Sequence, residues 1–120
     1  MTSDILGEID HLAIVVKARP KTAASWDALI QCLFAAGAHT EAEVQARHAW
    51  LATGEKPVFL FYHSAACFAS GQTMEGLRLL EQAMEVAPKQ LKRFMEVFPE
   101  ALQHPALVDL LARFKRRRSF

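Results

Sequence analysis

The chain repeats itself with a fixed period. Trp26, Leu60 and Phe94 are large apolar residues spaced 34 positions apart, and the same spacing separates Gly37 from Gly71. A period of this length is typical of a two-helix unit that cannot bury its apolar face alone and therefore stacks on neighbouring copies. The period thus predicts an all-α stack, and any function is expected on the surface that the stacked units create.

Apolar positions recur at helical spacing and turn residues fall between them, which predicts where the helices lie. The expected helices cover about residues 5–18, 22–36, 40–53, 59–70, 73–87 and 106–117. Gly37 and Gly71 are expected to end helices in the left-handed conformation. Thr40 followed by Glu43 is a capping-box pattern for the third helix. Pro99 interrupts a third copy of the unit, because proline removes a helical hydrogen bond.

These helices are expected to form one domain over residues 1–120. Its parts are a half-unit helix at 1–22, a first full unit at 23–56, a second at 57–90, and a partial unit with a C-terminal capping helix at 91–120. Ala42 and Gly76 occupy equivalent positions in the two full units. Their small size is expected to let the second helix of each unit approach the first closely.

The two full units resemble tetratricopeptide repeats (TPRs), in which Trp, Leu and an aromatic residue mark the first helix and alanines mark the second. The matching residues are Trp26, Leu29, Leu33, Gly37, Ala42 and Ala49 in the first unit and Leu60, Cys67, Phe68, Gly71, Gly76, Ala83 and Pro88 in the second. The match covers about residues 5–97, with His63 where the family usually has Leu and Gly54 where it has a late proline. The resemblance implies a right-handed α-α superhelix of antiparallel helix pairs, a scaffold that hosts many unrelated partners.

In this family the inner face of each first helix lines a concave groove that holds a peptide or partner segment. The resemblance places eight residues on that face: Ala24, Asp27, Gln31, Phe34, Val58, Phe61, Ala65 and Phe68. We expect an apolar, aromatic groove that binds a leucine or the apolar face of a helix, with Asp27 and Gln31 adding polar specificity. If the rings line an open groove, Phe61→Ser should weaken binding at little cost in stability. The alternative is that the terminal helices cover the rings and make them part of the core.

One group of TPR proteins holds the C-terminal carboxylate of a chaperone with lysine, asparagine and arginine side chains. The equivalent positions here are Asp27, Gln31, Tyr62, Lys92 and Glu96. Lys92 alone fits that chemistry, and Asp27 would repel a carboxylate. This class of partner is therefore not expected.

Composition bears on the remaining partner classes. With 14 basic and 13 acidic residues, the net charge of +1 provides no global attraction to nucleic acid or to an anionic membrane. The basic tail from Lys115 to Arg118 could contact phosphates, but no recognition motif accompanies it, so nucleic-acid binding is the least favoured function. Apolar residues make up 52% of the chain. Because a small stack leaves some of that area uncovered, self-association as a homodimer is an alternative to binding another protein.

Catalytic and metal-binding patterns are lacking, so we predict neither an enzyme nor a cofactor. His63 and Cys67, four residues apart on one predicted helix, could supply half of a zinc site. The sequence offers no second pair at ligand spacing, so no metal site is predicted. A buried His63 would need a partner such as a backbone carbonyl or Tyr62. The two cysteines form no CxxC pair and no signal or membrane segment is evident, which predicts a cytoplasmic protein.

Overall fold

The computed structural model describes residues 2–118, with side chains described for 4–117. These residues form seven α-helices: α1 (Thr2–Ala18), α2 (Ala23–Ala35), α3 (His39–Ala52), α4 (Val58–Ala69), α5 (Thr73–Val86), α6 (Leu91–Val97) and α7 (Pro105–Arg118). Short 3-10 helices at Pro88–Gln90 and Pro99–Gln103 flank α6. Helices α1 to α5 pack mainly against their neighbours in the chain, α6 lies against α4 and α2, and α7 contacts α5. The all-α class predicted from the sequence is confirmed.

Glycines in the left-handed conformation end α2 and α4. Gly37 has φ 74° and Gly71 has φ 82°. After α2, the N–H groups of Gly37 and Ala38 donate to the carbonyls of Phe34 and Leu33, at 3.0 and 2.9 Å. Gly71 and the residue after it repeat this pattern at the end of α4. A residue with a Cβ pays about 1–2 kcal/mol in this conformation, so both predictions of a left-handed glycine are confirmed.

The predicted capping box at the start of α3 is wrong. The helix begins at His39, the preceding residue is Ala38, and no side-chain cap hydrogen bond is made. The residue at the N-cap position is Ala38, two residues before Thr40. Thr40 therefore lies inside the first turn of the helix rather than before it.

Small residues lie at buried positions on α3 and α5, and the one on α5 allows a close approach to α4. Ala42 is fully buried on the face of α3. On α5, a Cβ at Gly76 would lie 2.9 Å from two ring atoms of Phe68. The Ser64 hydroxyl on α4 donates to the Gly76 carbonyl at 2.7 Å. The close approach predicted at Gly76 is confirmed, since the Phe68 ring occupies the space that a side chain would need.

Two apolar clusters fill the interior, and α4 contributes to both. The first cluster lies among α1 to α4 and contains Trp26, which is 6% exposed and donates from Nε1 to the Pro20 carbonyl at 2.7 Å. The second joins α4 to α5, α6 and α7 and contains Leu60 and Phe94. Consequently α4 is the central helix, and what covers each of its faces determines which of its residues can meet a ligand.

Candidate functional site

A cleft of about 830 Å³ lies between α2, the end of α4 and the segment from α6 to the start of α7. We call it the α2–α6 cleft. Its lining residues are Gln31, Phe34, Ala35, His39, Phe68, Ala69, Glu96, Val97, Phe98, Pro99, Glu100, Gln103 and His104. The α2 wall is continuous with the start of α3. The opposite wall is formed by the end of α6 and the segment that connects it to α7.

Aromatic rings form the floor of the cleft. Phe98 stacks on Phe68 with ring centroids 5.7 Å apart and planes 17° apart. The ring of His104 lies 5.8 Å from Phe68 and 5.4 Å from Phe98. On the α2 wall, the half-buried Phe34 lies 6.0 Å from His39. Such a floor offers a ligand apolar and ring-edge contacts rather than charge.

The rim of the cleft is acidic. Glu96 and Glu100 are exposed, and the lining residues include neither lysine nor arginine. Arg93, outside the lining, lies 3.6 Å from a carboxylate oxygen of Glu96 and partly balances its charge. The exposed carboxylates produce a negative potential at the entrance, which favours a ligand with a basic group.

A hydrogen-bonded network fixes α2 against α4 next to the cleft. Tyr62 donates from its hydroxyl to Oδ1 of Asp27. Gln31 Nε2 donates to the same Oδ1 at 2.7 Å and lies 3.4 Å from the Tyr62 hydroxyl oxygen. Burial, followed by the hydrogen bond to Asp27, raises the pKa of Tyr62, so the hydroxyl stays a donor. Asp27 and Gln31 were predicted to add polar specificity for a ligand. Some of their hydrogen-bonding groups instead position the α2 wall.

Five of the eight predicted groove residues line the cleft or the surface next to it. Gln31, Phe34 and Phe68 line the cleft itself. Ala24 and Asp27 line a smaller pocket of about 360 Å³ further along α2, in which Gln31 also takes part. The α2 members of the predicted set therefore lie on one continuous surface.

The other three predicted residues do not face this surface. Phe61 and Ala65 are fully buried, in the same apolar cluster as Phe94. Val58 is half-buried and packs against the first apolar cluster. The prediction of an open groove at Phe61 and Ala65 is corrected here, because α6 packs across this face of α4. The expectation that Phe61→Ser would cost little stability is corrected for the same reason.

Sequence reasoning missed most of the wall opposite α2. Glu96, Phe98, Glu100 and His104 on that wall, and His39 on the α2 wall, line the cleft but were not among the predicted residues. The prolines after Phe98 and His104 signal that the helix is broken there. The prolines do not indicate which way the chain runs after the break. That direction depends on the stacking of Phe98 on Phe68, a residue distant in the sequence.

A second polar cluster lies between α3 and α4 and consists of Glu43, His63 and Cys67. The Nε2 atom of His63 is 3.5 Å from Oε1 of Glu43. One potential ligand atom from each of the three residues lies within 4.8 Å of the other two. The partner of His63 is thus a carboxylate from the preceding helix, rather than the backbone carbonyl or Tyr62 suggested above. Carboxylate, imidazole and thiol groups are all side chains that bind metal ions.

Burial controls the protonation of this Glu43–His63–Cys67 cluster. It lowers the pKa of His63 by more than the Glu43 carboxylate raises it. It also raises the pKa of the Cys67 thiol to about 11. At neutral pH the cluster therefore holds a neutral imidazole and a neutral thiol.

The basic tail takes part in the fold. Arg117 donates to a carboxylate oxygen of Glu85 at 2.8 Å, and its guanidinium carbon lies 5.2 Å from the centroid of the Phe114 ring. The side chain of Arg118 lies outside the described residues. One of the charges counted toward nucleic-acid binding is therefore paired within the molecule.

Comparisons of the chain with protein-family models, with curated proteins and with solved structures give no match. None of the helices in the described part of the chain is long and apolar enough to cross a membrane.

Proposed function

We propose that this protein is a non-catalytic TPR-like scaffold whose α2–α6 cleft binds a segment of a partner protein. The segment places an apolar side chain against the ring of Phe34, above the floor that Phe68 and Phe98 form, and a basic side chain at the rim. The observation that carries this proposal is the combination of an aromatic floor with the exposed carboxylates of Glu96 and Glu100. Electrostatic complementarity of this kind steers association and selects partners more than it adds affinity.

Features typical of a TPR-like fold also support the proposal. In this interpretation, α2 with α3 and α4 with α5 are the two full helix pairs. Gly37 and Gly71, one period apart, have similar positive φ angles of 74° and 82°. Ala42 and Gly76, also one period apart, are both buried, and Gly76 lies at a close contact with Phe68. The α2–α6 cleft then corresponds to the part of the concave groove that α6 leaves uncovered.

Peptide selection tests this function without a known partner. A library of displayed peptides is selected on the wild-type protein, and binders are counter-selected on the Glu96→Lys/Glu100→Lys variant. A matched control, Asp10→Lys/Glu81→Lys, makes the same change in charge at exposed sites on α1 and α5. We expect enriched peptides to pair a leucine or an aromatic residue with a neighbouring lysine or arginine.

The affinities of the enriched peptides decide the outcome. Reversal of the rim charge should weaken binding by at least about tenfold, equivalent to about 1.4 kcal/mol, and the control should leave it unchanged. Peptides that bind the wild type and the rim variant equally well would contradict the proposal. Light scattering over a range of concentrations examines the alternative, a homodimer, by its mass.

A further inference from the structure

The Glu43–His63–Cys67 cluster combines three side chains of the kinds that bind transition metals. His63 and Cys67 lie one turn apart on α4, so they project from the same face of the helix. Glu43 reaches them from α3, with Oε1 3.5 Å from Nε2 of His63. In a tetrahedral zinc site, bond lengths of about 2.0–2.3 Å place neighbouring ligand atoms about 3.3–3.6 Å apart. The Glu43 and His63 atoms are already at that spacing, and all three ligand atoms lie within 4.8 Å of one another.

A neighbouring residue holds the carboxylate in this orientation. Gln72 donates from Nε2 to Oε2 of Glu43 at 3.3 Å, which leaves Oε1 directed at His63. The backbone N–H of Gln72 donates to the carbonyl of Cys67 at 2.8 Å. One residue in the turn after α4 thus links the helix end that carries Cys67 to the carboxylate on α3. Hydrogen bonds that orient ligands in this way are typical of metal sites.

Access and charge are compatible with an ion at this position. The side chains of His63 and Glu43 are 15% and 18% exposed, so an ion can enter from the surface, while Cys67 closes the site from inside. Glu75 and Arg78 form an ion pair nearby and their charges offset each other, while the positive charge of Arg47 also acts on His63 and Cys67. A divalent ion bound to one carboxylate and one thiolate leaves the site with no net charge.

We propose that Glu43, His63 and Cys67 bind one Zn²⁺ ion. As the Zn–S bond forms, the Cys67 thiol releases its proton to water, and neutral His63 binds through a ring nitrogen. Thiolate and imidazole ligands favour zinc over the hard ions Mg²⁺ and Ca²⁺. Three protein ligands leave the fourth position of the tetrahedron for water. The ion would join α3 to α4, and so would lock the two full helix pairs together.

Titration of the full, untagged and reduced chain with Zn²⁺ and with Co²⁺ tests the site. We expect one Zn²⁺ per chain in calorimetry and a rise in the thermal unfolding midpoint when zinc is added. Co²⁺ should give the near-ultraviolet charge-transfer absorption of a cobalt–thiolate bond. Cys67→Ala and His63→Gln should each weaken Zn²⁺ binding by at least about 100-fold, and Gln72→Ala by about tenfold, as expected for a residue that orients a ligand.

Cys32→Ala is the matched control, because Cys32 is the other cysteine of the chain and lies on α2. It should bind Zn²⁺ as the wild type does and keep the cobalt absorption. Circular dichroism checks the fold of each variant. If Cys67→Ala fails to fold, the Glu43→Gln variant tests the site instead, because the Glu43 side chain is partly exposed. Equal Zn²⁺ affinity of the wild type and Glu43→Gln, or a cobalt complex without thiolate absorption, overturns the proposal.

Discussion

Residues of α2 and α4 that are 34 positions apart in the sequence differ in exposure, since those on α2 are open and those on α4 are covered. Equivalent pairs are Ala24 and Val58, Asp27 and Phe61, Gln31 and Ala65, and Phe34 and Phe68. The α2 members are exposed or half-buried, whereas the α4 members are buried apart from half-buried Val58. A spacing of 34 residues therefore does not determine whether solvent reaches a side chain.

The difference arises from the element that follows each unit. Helix α6 packs mainly against α4 and makes a smaller contact with α2. The side chains match this arrangement, because the covered face carries Phe61 and Ala65 where the open face carries Asp27 and Gln31. The same helix face thus serves as core in one unit and as a candidate binding wall in the other.

The largest expected effect is on the covered face. Phe61→Ala should lower the free energy of unfolding by about 3–5 kcal/mol, because a fully buried ring leaves a cavity that the surrounding helices cannot fill. Trp26→Ala, in the first apolar cluster, should cost a similar amount. Urea unfolding followed by circular dichroism measures both. A loss below about 1 kcal/mol for Phe61→Ala would mean that α6 does not cover α4, and the comparison would fail.

A smaller effect on the free energy of unfolding is expected in the hydrogen-bonded network that joins α2 to α4. Asp27→Ala removes the acceptor of the buried Tyr62 hydroxyl and should cost about 1–3 kcal/mol. Tyr62→Phe in the same background should restore part of this loss, because no hydroxyl is then left without its partner. A double-mutant cycle on unfolding free energies gives the coupling. Additive effects would show that the network does not hold α2 against α4.

The turns that end α2 and α4 should respond alike, although the helix faces differ. Gly37→Val and Gly71→Val should each cost about 1–2 kcal/mol, because both glycines have positive φ and a side chain there is strained. An added Cβ would meet no atom within 4 Å at either site, so the cost comes from the backbone alone. Gly→Asn should cost less at each position, since asparagine tolerates this conformation. Thermal unfolding of the four variants checks both statements, and unequal losses for the two valine variants would argue against equivalent turns.

Much of the helical framework could be predicted from sequence, since it depends on local chemistry. The glycine turns, the buried Trp26 and the small Gly76 follow from spacing and side-chain size. The cover over Phe61 could not be predicted, because it depends on where the chain goes after Pro99, and proline fixes a break rather than a direction. The contact between Glu43 and His63 could not be predicted from the sequence either, because it depends on the relative positions of α3 and α4.

The central claim is that the α2 wall binds a partner segment while the equivalent α4 face stabilises the fold. The most direct test is Phe34→Ala, the half-buried counterpart of Phe68, assayed with a peptide selected on the wild type. Fluorescence anisotropy should show binding weakened by at least about tenfold, and urea unfolding a loss of no more than about 1–2 kcal/mol. Leu51→Ala, which removes an apolar side chain that is 68% exposed on α3, should change neither quantity. Unchanged peptide affinity in Phe34→Ala would contradict the account.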